Sequence, residues 1–124
     1  MSDSNDNKNI AVQVSIQRGQ PPYEVTLNPP GPYRISQPDS TITMQLDRRS
    51  ASSGFQMFGI GFREPEAEEQ LYAEVATTDN ENDTLVITDV KTKNGTFEFV
   101  VLYQDSNRGT TVYGYDPDVE NVDP

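Results

Sequence analysis

The chain has 124 residues, a net charge of −11, and no cysteine, histidine or tryptophan. Without cysteine there are no disulfides, no thiolate chemistry and no zinc–sulfur sites; without histidine there is no Ser-His-Asp or Cys-His catalysis and no histidine-ligated metal. The acidic balance opposes binding to nucleic acids and to anionic membrane surfaces, because both need a basic protein face.

The length predicts one domain, able to bury roughly two-thirds of the surface its unfolded chain exposes. Hydrophobic residues make up 33% of the chain, which predicts a lean core. Charge is unevenly spread: residues 1–49 balance, and residues 50–124 carry the whole excess of acid. No apolar run approaches the ~18 residues of a membrane helix, and Met1 to Asn9 lacks the character of a signal peptide. Together with the missing cysteine, this predicts a cytoplasmic protein.

In chain order, residues 1–9 are polar and rich in Asp, Asn and Ser, which predicts a disordered tail before a single domain spanning 10–124. Ile10, Val12, Val14 and Ile16 alternate with polar residues, the period of a half-buried strand. Tyr23, Val25 and Leu27 repeat the pattern after Pro21 and Pro22. The Asn28-Pro29-Pro30-Gly31-Pro32 segment predicts a stiff loop, since proline fixes φ and cannot donate to a ladder. Tyr33 to Ser36 reads as a short edge piece, Thr41 to Leu46 as a strand, and Asp47 to Gly54 as a polar loop. Phe55 to Phe62 reads as a strand with Gly59 and Gly61 on one face. Missing side chains there suit a ligand platform or, more plainly, tight packing against a neighbouring sheet.

Glu64 to Asp83 holds eight acids and no base. Pro65 to Leu71 suits one helical turn, because glutamates complement the positive end of the helix dipole. Leu71, Ala73 and Val75 then alternate as a strand, and Thr77 to Asp83 reads as a loop. Thr84 to Val90 is rich in β-branched residues. Asn94-Gly95 follows, a strong signal for a type I′ hairpin leading into Thr96 to Gln104. Phe97, Phe99, Val101 and Tyr103 share one face of that run. With Thr110 to Tyr115 as the third member, the segment predicts a three-strand meander. The whole predicts an all-β antiparallel sandwich of immunoglobulin-like size with seven to nine strands, lacking the Cys…Trp…Cys core; a barrel shares the same periodicity.

Three kinds of chemistry are available to such a chain. Asp116, Asp118 and Glu120 alternate, so in an extended segment they present oxygens on one side, as a calcium ion would require; the plainer reading is a solvated acidic surface. Asp79, Glu81 and Asp83 repeat the spacing. A carboxylate pair could act on a glycoside, but no tryptophan platform is present. No Ser-x-x-Lys spacing supports a Ser-Lys hydrolase. Recognition through strand edges is the third kind, with Tyr113 and Tyr115 on one face of a late strand, either at an interface or in the core with their hydroxyls at the rim.

The expectation is therefore a non-enzymatic protein, without a required cofactor, that binds a partner protein or itself. The alternatives are a calcium-assisted carbohydrate-binding module and a carboxylate hydrolase. At the C-terminal end, Val119 and Val122 can pack and Asn121 can bond nearby backbone groups, which predicts that Tyr115 to Val122 is docked on the domain.

The pattern Asp116-Pro117-x-Val119-x-Asn121-x-x-Pro124, with Glu64-Pro65 upstream, resembles the DP-EP family of small bacterial proteins. Asp-Pro recurs at Asp123-Pro124. The resemblance implies a sandwich fold across most of residues 10–124. It implies no activity and no site residue.

Overall fold

The structure is a computed structural model and describes residues 8–21, 23–78, 81–109 and 111–123. Residues 1–7 of the expected tail lie outside the described residues. The described part is all-β with two short helices.

The first half of the chain builds most of one sheet. Strands β1 (Asn9–Gln17), β2 (Glu24–Asn28) and β4 (Ser40–Leu46) form where apolar residues alternate with polar ones, and Val12, Val14, Ile16, Leu27, Ile42, Met44 and Leu46 are all buried. Between them β3 (Tyr33–Ile35) follows the proline-rich loop. β6 (Leu71–Thr78) and β7 (Glu81–Asp89) complete a five-stranded sheet in the order β2-β1-β4-β7-β6. The expected loop from Thr77 to Asp83 is largely strand, because the β6–β7 ladder extends to the pair Thr78 and Glu81. Asp79 lies outside the described residues.

Asp47 to Gly54 holds a helix rather than a loop throughout. Helix α1 (Arg48–Ser52) starts where the Asp47 carboxylate accepts a hydrogen bond from the Ser50 backbone N–H, satisfying one of the donors that open a helix. The Ser50 hydroxyl is buried and accepts from the N–H of Ile16, tying α1 to β1. Helix α2 (Pro65–Gln70) occupies the segment expected for it, with Pro65 in its first turn.

Two smaller sheets contain the rest. β5 (Phe55–Gly61), β9 (Val100–Asp105) and β10 (Val112–Tyr115) form one, in the order β10-β9-β5. β3, β8 (Gly95–Glu98) and β11 (Asp118–Asn121) form the other, in the order β3-β11-β8. None of the three sheets closes on itself. Two of the three sheets are mixed rather than purely antiparallel: β1 pairs with β4 in parallel, and so does β11 with β3. Among the described residues there are eleven strands, above the seven to nine expected, because short pieces such as β3, β8 and β11 each find a partner.

The expected meander is half correct. β9 and β10 form the antiparallel hairpin, with Tyr113 opposite Tyr103 and Tyr115 opposite Val101. β7 and β8 do not pair; they belong to different sheets. A type I′ turn needs positive φ at both central residues, and here Gly95 has φ +139° while the other positive φ in this connection is at Lys91 (+51°). The chain turns off β7 at Lys91 and carries β8 to β11 instead.

The run from Phe97 to Tyr103 keeps its inward face through this change. Phe97, Phe99, Val101 and Tyr103 are all buried. At Phe99 the ladder is interrupted: residues before it pair with β11 and residues after it with β5 and β10. The Phe99 N–H donates to the carbonyl of Pro117, so the break leaves no orphan there.

β5 contradicts the expected reason for its glycines. Its register shifts between Met57 and Gly59, a bulge that leaves Phe58 about half exposed. Nothing lies within 4 Å of where a Gly59 Cβ would stand, and Gly61 would meet only Leu102 at an ordinary 3.8 Å. Close packing therefore does not explain Gly59. Its φ of +154° at the bulge does, because side chains rarely adopt that backbone.

The C-terminal segment is docked. β11 is the central strand of its sheet, and Val119 is fully buried. Val119→Ala should cost about 1.5–2.5 kcal/mol, from two methyl groups and the cavity they leave. Urea denaturation measures this; an unchanged midpoint would mean that β11 contributes nothing to the folded domain.

Candidate functional site

The chemistry-bearing side chains that sequence singled out are placed as follows. Asp118 and Glu120 lie on the outward side of β11, opposite the buried Val119 and Asn121. Asp116 precedes the strand and pairs with Arg63 at 2.7 Å; Glu120 faces Arg34 at 3.6 Å. The expected alternation is present; among the described residues no group of three acidic side chains could hold a metal ion. Cations from distant segments, Arg63 and Arg34, take two of the three carboxylates instead.

Tyr113 and Tyr115 do share a face, and that face is the inner one. Both are half-buried against the core. Tyr113 stacks on Tyr103 at 5.6 Å between ring centroids and meets the Tyr23 ring edge-on at 5.1 Å. Burial raises the hydroxyl pKa of Tyr115 and pushes that of Tyr103 up to about 12. The two late tyrosines anchor β10 to the domain.

Beneath this ring cluster lies a charged group that sequence reasoning missed. Asp105 ends β9 and is fully buried. Its carboxylate accepts both guanidinium nitrogens of Arg18 (Nη1 to Oδ2 and Nη2 to Oδ1, each 2.8 Å), the Tyr23 hydroxyl at 2.6 Å and the Asn107 N–H at 3.0 Å. Arg18 also donates to the Ser53 carbonyl and lies over the Phe55 ring, 4.5 Å from its centroid. The Arg18 hydrogen bonds hold the Asp105 carboxyl well below the usual carboxylate range against the pull of burial; the same bonds raise Arg18 further, and the bond to Asp105 raises Tyr23. An ionised carboxylate with four donors has neither a proton to give nor a free lone pair aimed at a substrate. The group is an anchor joining β1, β5 and β9, not a catalytic acid. The one local signal was Asp105-Ser106-Asn107, a pattern in which Asp accepts from the N–H two residues on.

This anchor supports the outer strand of its sheet. β10 has β9 on one side and, among the described residues, no strand on the other. Thr111, Val112 and Gly114 are exposed, Val112 to 40%. The pairing of β10 with β9 runs without a bulge, and the strand carries no charge and no proline. Natural edges usually carry one of those devices against added strands. The other edges here carry one: β5 and β6 are bulged, prolines directly adjoin β2 and β3, and β8 carries Glu98. Beside the start of β10 an open cleft of about 520 Å³ is lined by Arg18, Asn107, Arg108, Thr111 and Tyr113. Of its two arginines, Arg18 is paired with Asp105, and Arg108 is exposed.

Comparison with known proteins follows from the C-terminal signature. The chain matches the DP-EP family over residues 6–123, nearly its whole length. The chain belongs to the DP-EP family. The Asp116-Pro117 and Glu64-Pro65 pairs of this DP-EP protein both stand just before short elements: Asp116-Pro117 precedes β11, and Glu64-Pro65 opens α2. A search of curated proteins returns no match. Among the described residues, no helix is long and apolar enough to cross a membrane.

Asp105 has a depressed pKa, so its stabilising effect is complete above the unfolded carboxylate pKa of about 3.9 and is lost as pH falls through the folded value. Asp105→Ala should cost about 2–4 kcal/mol at neutral pH, less than for a fully buried pair because Arg18 is partly exposed. Thermal melts at neutral and acidic pH measure both effects. The mutational loss should shrink on acidification, and a loss that stays constant would show that the ion pair is not its source.

Proposed function

We propose that this DP-EP protein is a non-catalytic binding domain that takes an extended segment of another protein chain along the outer edge of β10. The single observation that carries the reading is the open β10 edge, free of bulge, charge and proline within the strand, with Thr111, Val112 and Gly114 outward and two tyrosines fixing the strand from within. Main-chain hydrogen bonds supply affinity in such strand addition, and flanking side chains supply selectivity. The cleft at Arg108 would favour an acidic residue at one end of the added segment.

The chemistry that would mark an enzyme points the other way. There is no histidine or cysteine, the buried Asp105 is saturated with donors, and no acidic trio converges among the described residues. These facts support a binding role over a hydrolase or a calcium-assisted carbohydrate module. We further propose an immunoglobulin-like sandwich, with the five-stranded sheet as one layer and the two smaller sheets as the other. The packing of β5 against β7 and the passage of β8 into β9 across the single residue Phe99 support it. The absence of cysteine accords with a cytoplasmic location.

A photo-crosslinking residue placed at Val112 tests the binding role directly, with the same residue at Gln45 as control. Gln45 is exposed on a central strand, so its backbone is already paired. In cells, position 112 should yield a discrete protein adduct that position 45 does not, and Val112→Lys in the wild-type background should weaken that partner's binding several-fold. Equal labelling from both positions would overturn the edge as the binding site. Light scattering on the purified protein separates a second copy of the chain from a different partner.

A further inference from the structure

The second buried acid, Asp89, is treated differently from Asp105. It ends β7, is fully buried, and meets no arginine or lysine in an ion pair among the described residues. Its neighbour is Asn121 of β11, itself 2% exposed. The Asn121 Nδ2 lies 3.2 Å from Asp89 Oδ1, 3.2 Å from the Lys93 carbonyl and 3.3 Å from Gln70 Oε1. Three acceptors around one end of the amide identify that end as nitrogen, so flipping the amide would only create three repulsions. Gln70 is fixed in turn by the N–H of Thr92 at 2.8 Å and by donation to the Thr92 hydroxyl at 2.6 Å.

Among the described residues, two buried side-chain polar atoms have no hydrogen-bond partner: Asp89 Oδ2 and Asn121 Oδ1. They belong to the two members of one hydrogen-bonded pair. Both are acceptors when Asp89 is ionised, and a buried acceptor without a donor costs about 1–3 kcal/mol, more for a charged group. A single hydrogen on Asp89 Oδ2 turns one orphan into a donor and supplies the other. We propose that Asp89 is kept as the neutral carboxylic acid in the folded protein, its Oδ2–H directed to the Asn121 amide oxygen, and that this proton latches β11 to the end of β7.

The surroundings fit a neutral group. Opposite Asp89 in the sheet stand Leu71 of β6 and Ser40 of β4, whose hydroxyl donates to the Gln37 carbonyl. Gln70 of α2 meets its partner Asn121. The charges nearby are turned elsewhere. The Lys93 ammonium lies 4.0 Å from Glu69 of α2, Glu120 of β11 faces Arg34, and Asp123 accepts from Asn94. Lys91 gives Asp89 its backbone N–H at 2.9 Å and a modest attraction through its charge. Burial raises the Asp89 carboxyl against that attraction and against the Asn121 hydrogen bond. A group raised in the folded state stabilises fully below its unfolded pKa, about 3.9, and the contribution is lost as pH rises through the folded value.

Asp89→Asn tests the latch, because its amide nitrogen replaces the O–H while its oxygen still accepts from Lys91 and Asn121. Hydrogen exchange of the Val122 amide, which donates to the Ile35 carbonyl, reads the docking of β11. From about pH 4 to about pH 8, across the window above the unfolded carboxylate pKa, wild-type protection corrected for intrinsic exchange should fall several-fold. Protection in Asp89→Asn should stay flat and match or exceed wild type at the upper end, whereas Asp89→Ala should be low throughout. Wild-type protection independent of pH, or an Asp89→Asn protein as poorly protected as Asp89→Ala, would overturn the proposal. The second result would mean that the carboxylate is ionised and satisfied by another donor, such as a water or a small cation.

Discussion

The rest of the structure depends on one constraint, the unbroken inward face of the run from Phe97 to Tyr103. Four large side chains at alternate positions must all be buried, and they are. The backbone cannot keep one ladder over that length, so it leaves β11 at Phe99 and joins β5 and β10. Side-chain burial is continuous while hydrogen bonding changes partners. Strands that pass between sheets at a bend are a known way of making a corner without exposing apolar surface. The order of the two smaller sheets follows from this passage. β11 is drawn to β8 and brings β3 with it; β10 folds back on β9 and leaves its own outer edge open.

The two buried carboxylates show how the same residue type is handled in two ways. Asp105 has a guanidinium across it in bidentate geometry, together with a tyrosine hydroxyl and a backbone N–H. Such a group holds its charge, and its four donors offset the cost of taking it out of water. Asp89 has an amide, one backbone N–H and no cation. With fewer donors, burial favours the neutral form. Both sit at strand ends where the chain changes direction, so both act as clasps. The first clasps the aromatic cluster beneath β10, and the second clasps β11, the strand that follows Asp116-Pro117.

The functional reading follows from what these clasps leave free. The acids and hydroxyls with unusual environments are consumed in holding the domain together, and the outer surface offers mainly solvated carboxylates. What remains is a short strand edge without bulge, charge or proline, next to a cleft that holds Arg108. An edge of this kind is the least specialised recognition element a β-protein can have, since its affinity comes from the backbone.

Strand content was legible in the sequence because alternation of apolar and polar residues is a local signal of burial on one side. β1, β4 and the inward face from Phe97 to Tyr103 lie where that signal put them, and the docking of Val119 and the bonding role of Asn121 were readable from their types. The α1 helix was readable in principle from Asp47 three residues before Ser50, but five residues with Ala51 alone apolar give no periodicity. Partner choice was not legible. Asn94-Gly95 is a strong hairpin signal, yet β8 pairs with a strand more than 20 residues later, because burying the whole aromatic face outweighs a turn preference of local origin. The same limit hid the Arg18–Asp105 pair, 87 residues apart, and sent Asp116 and Glu120 to Arg63 and Arg34 rather than to a shared metal. By itself the sequence determined which residues face inward, since that depends on neighbours two positions away. Only the tertiary structure decided which charges meet and which edge stays open, because these depend on distances between segments that no local pattern encodes.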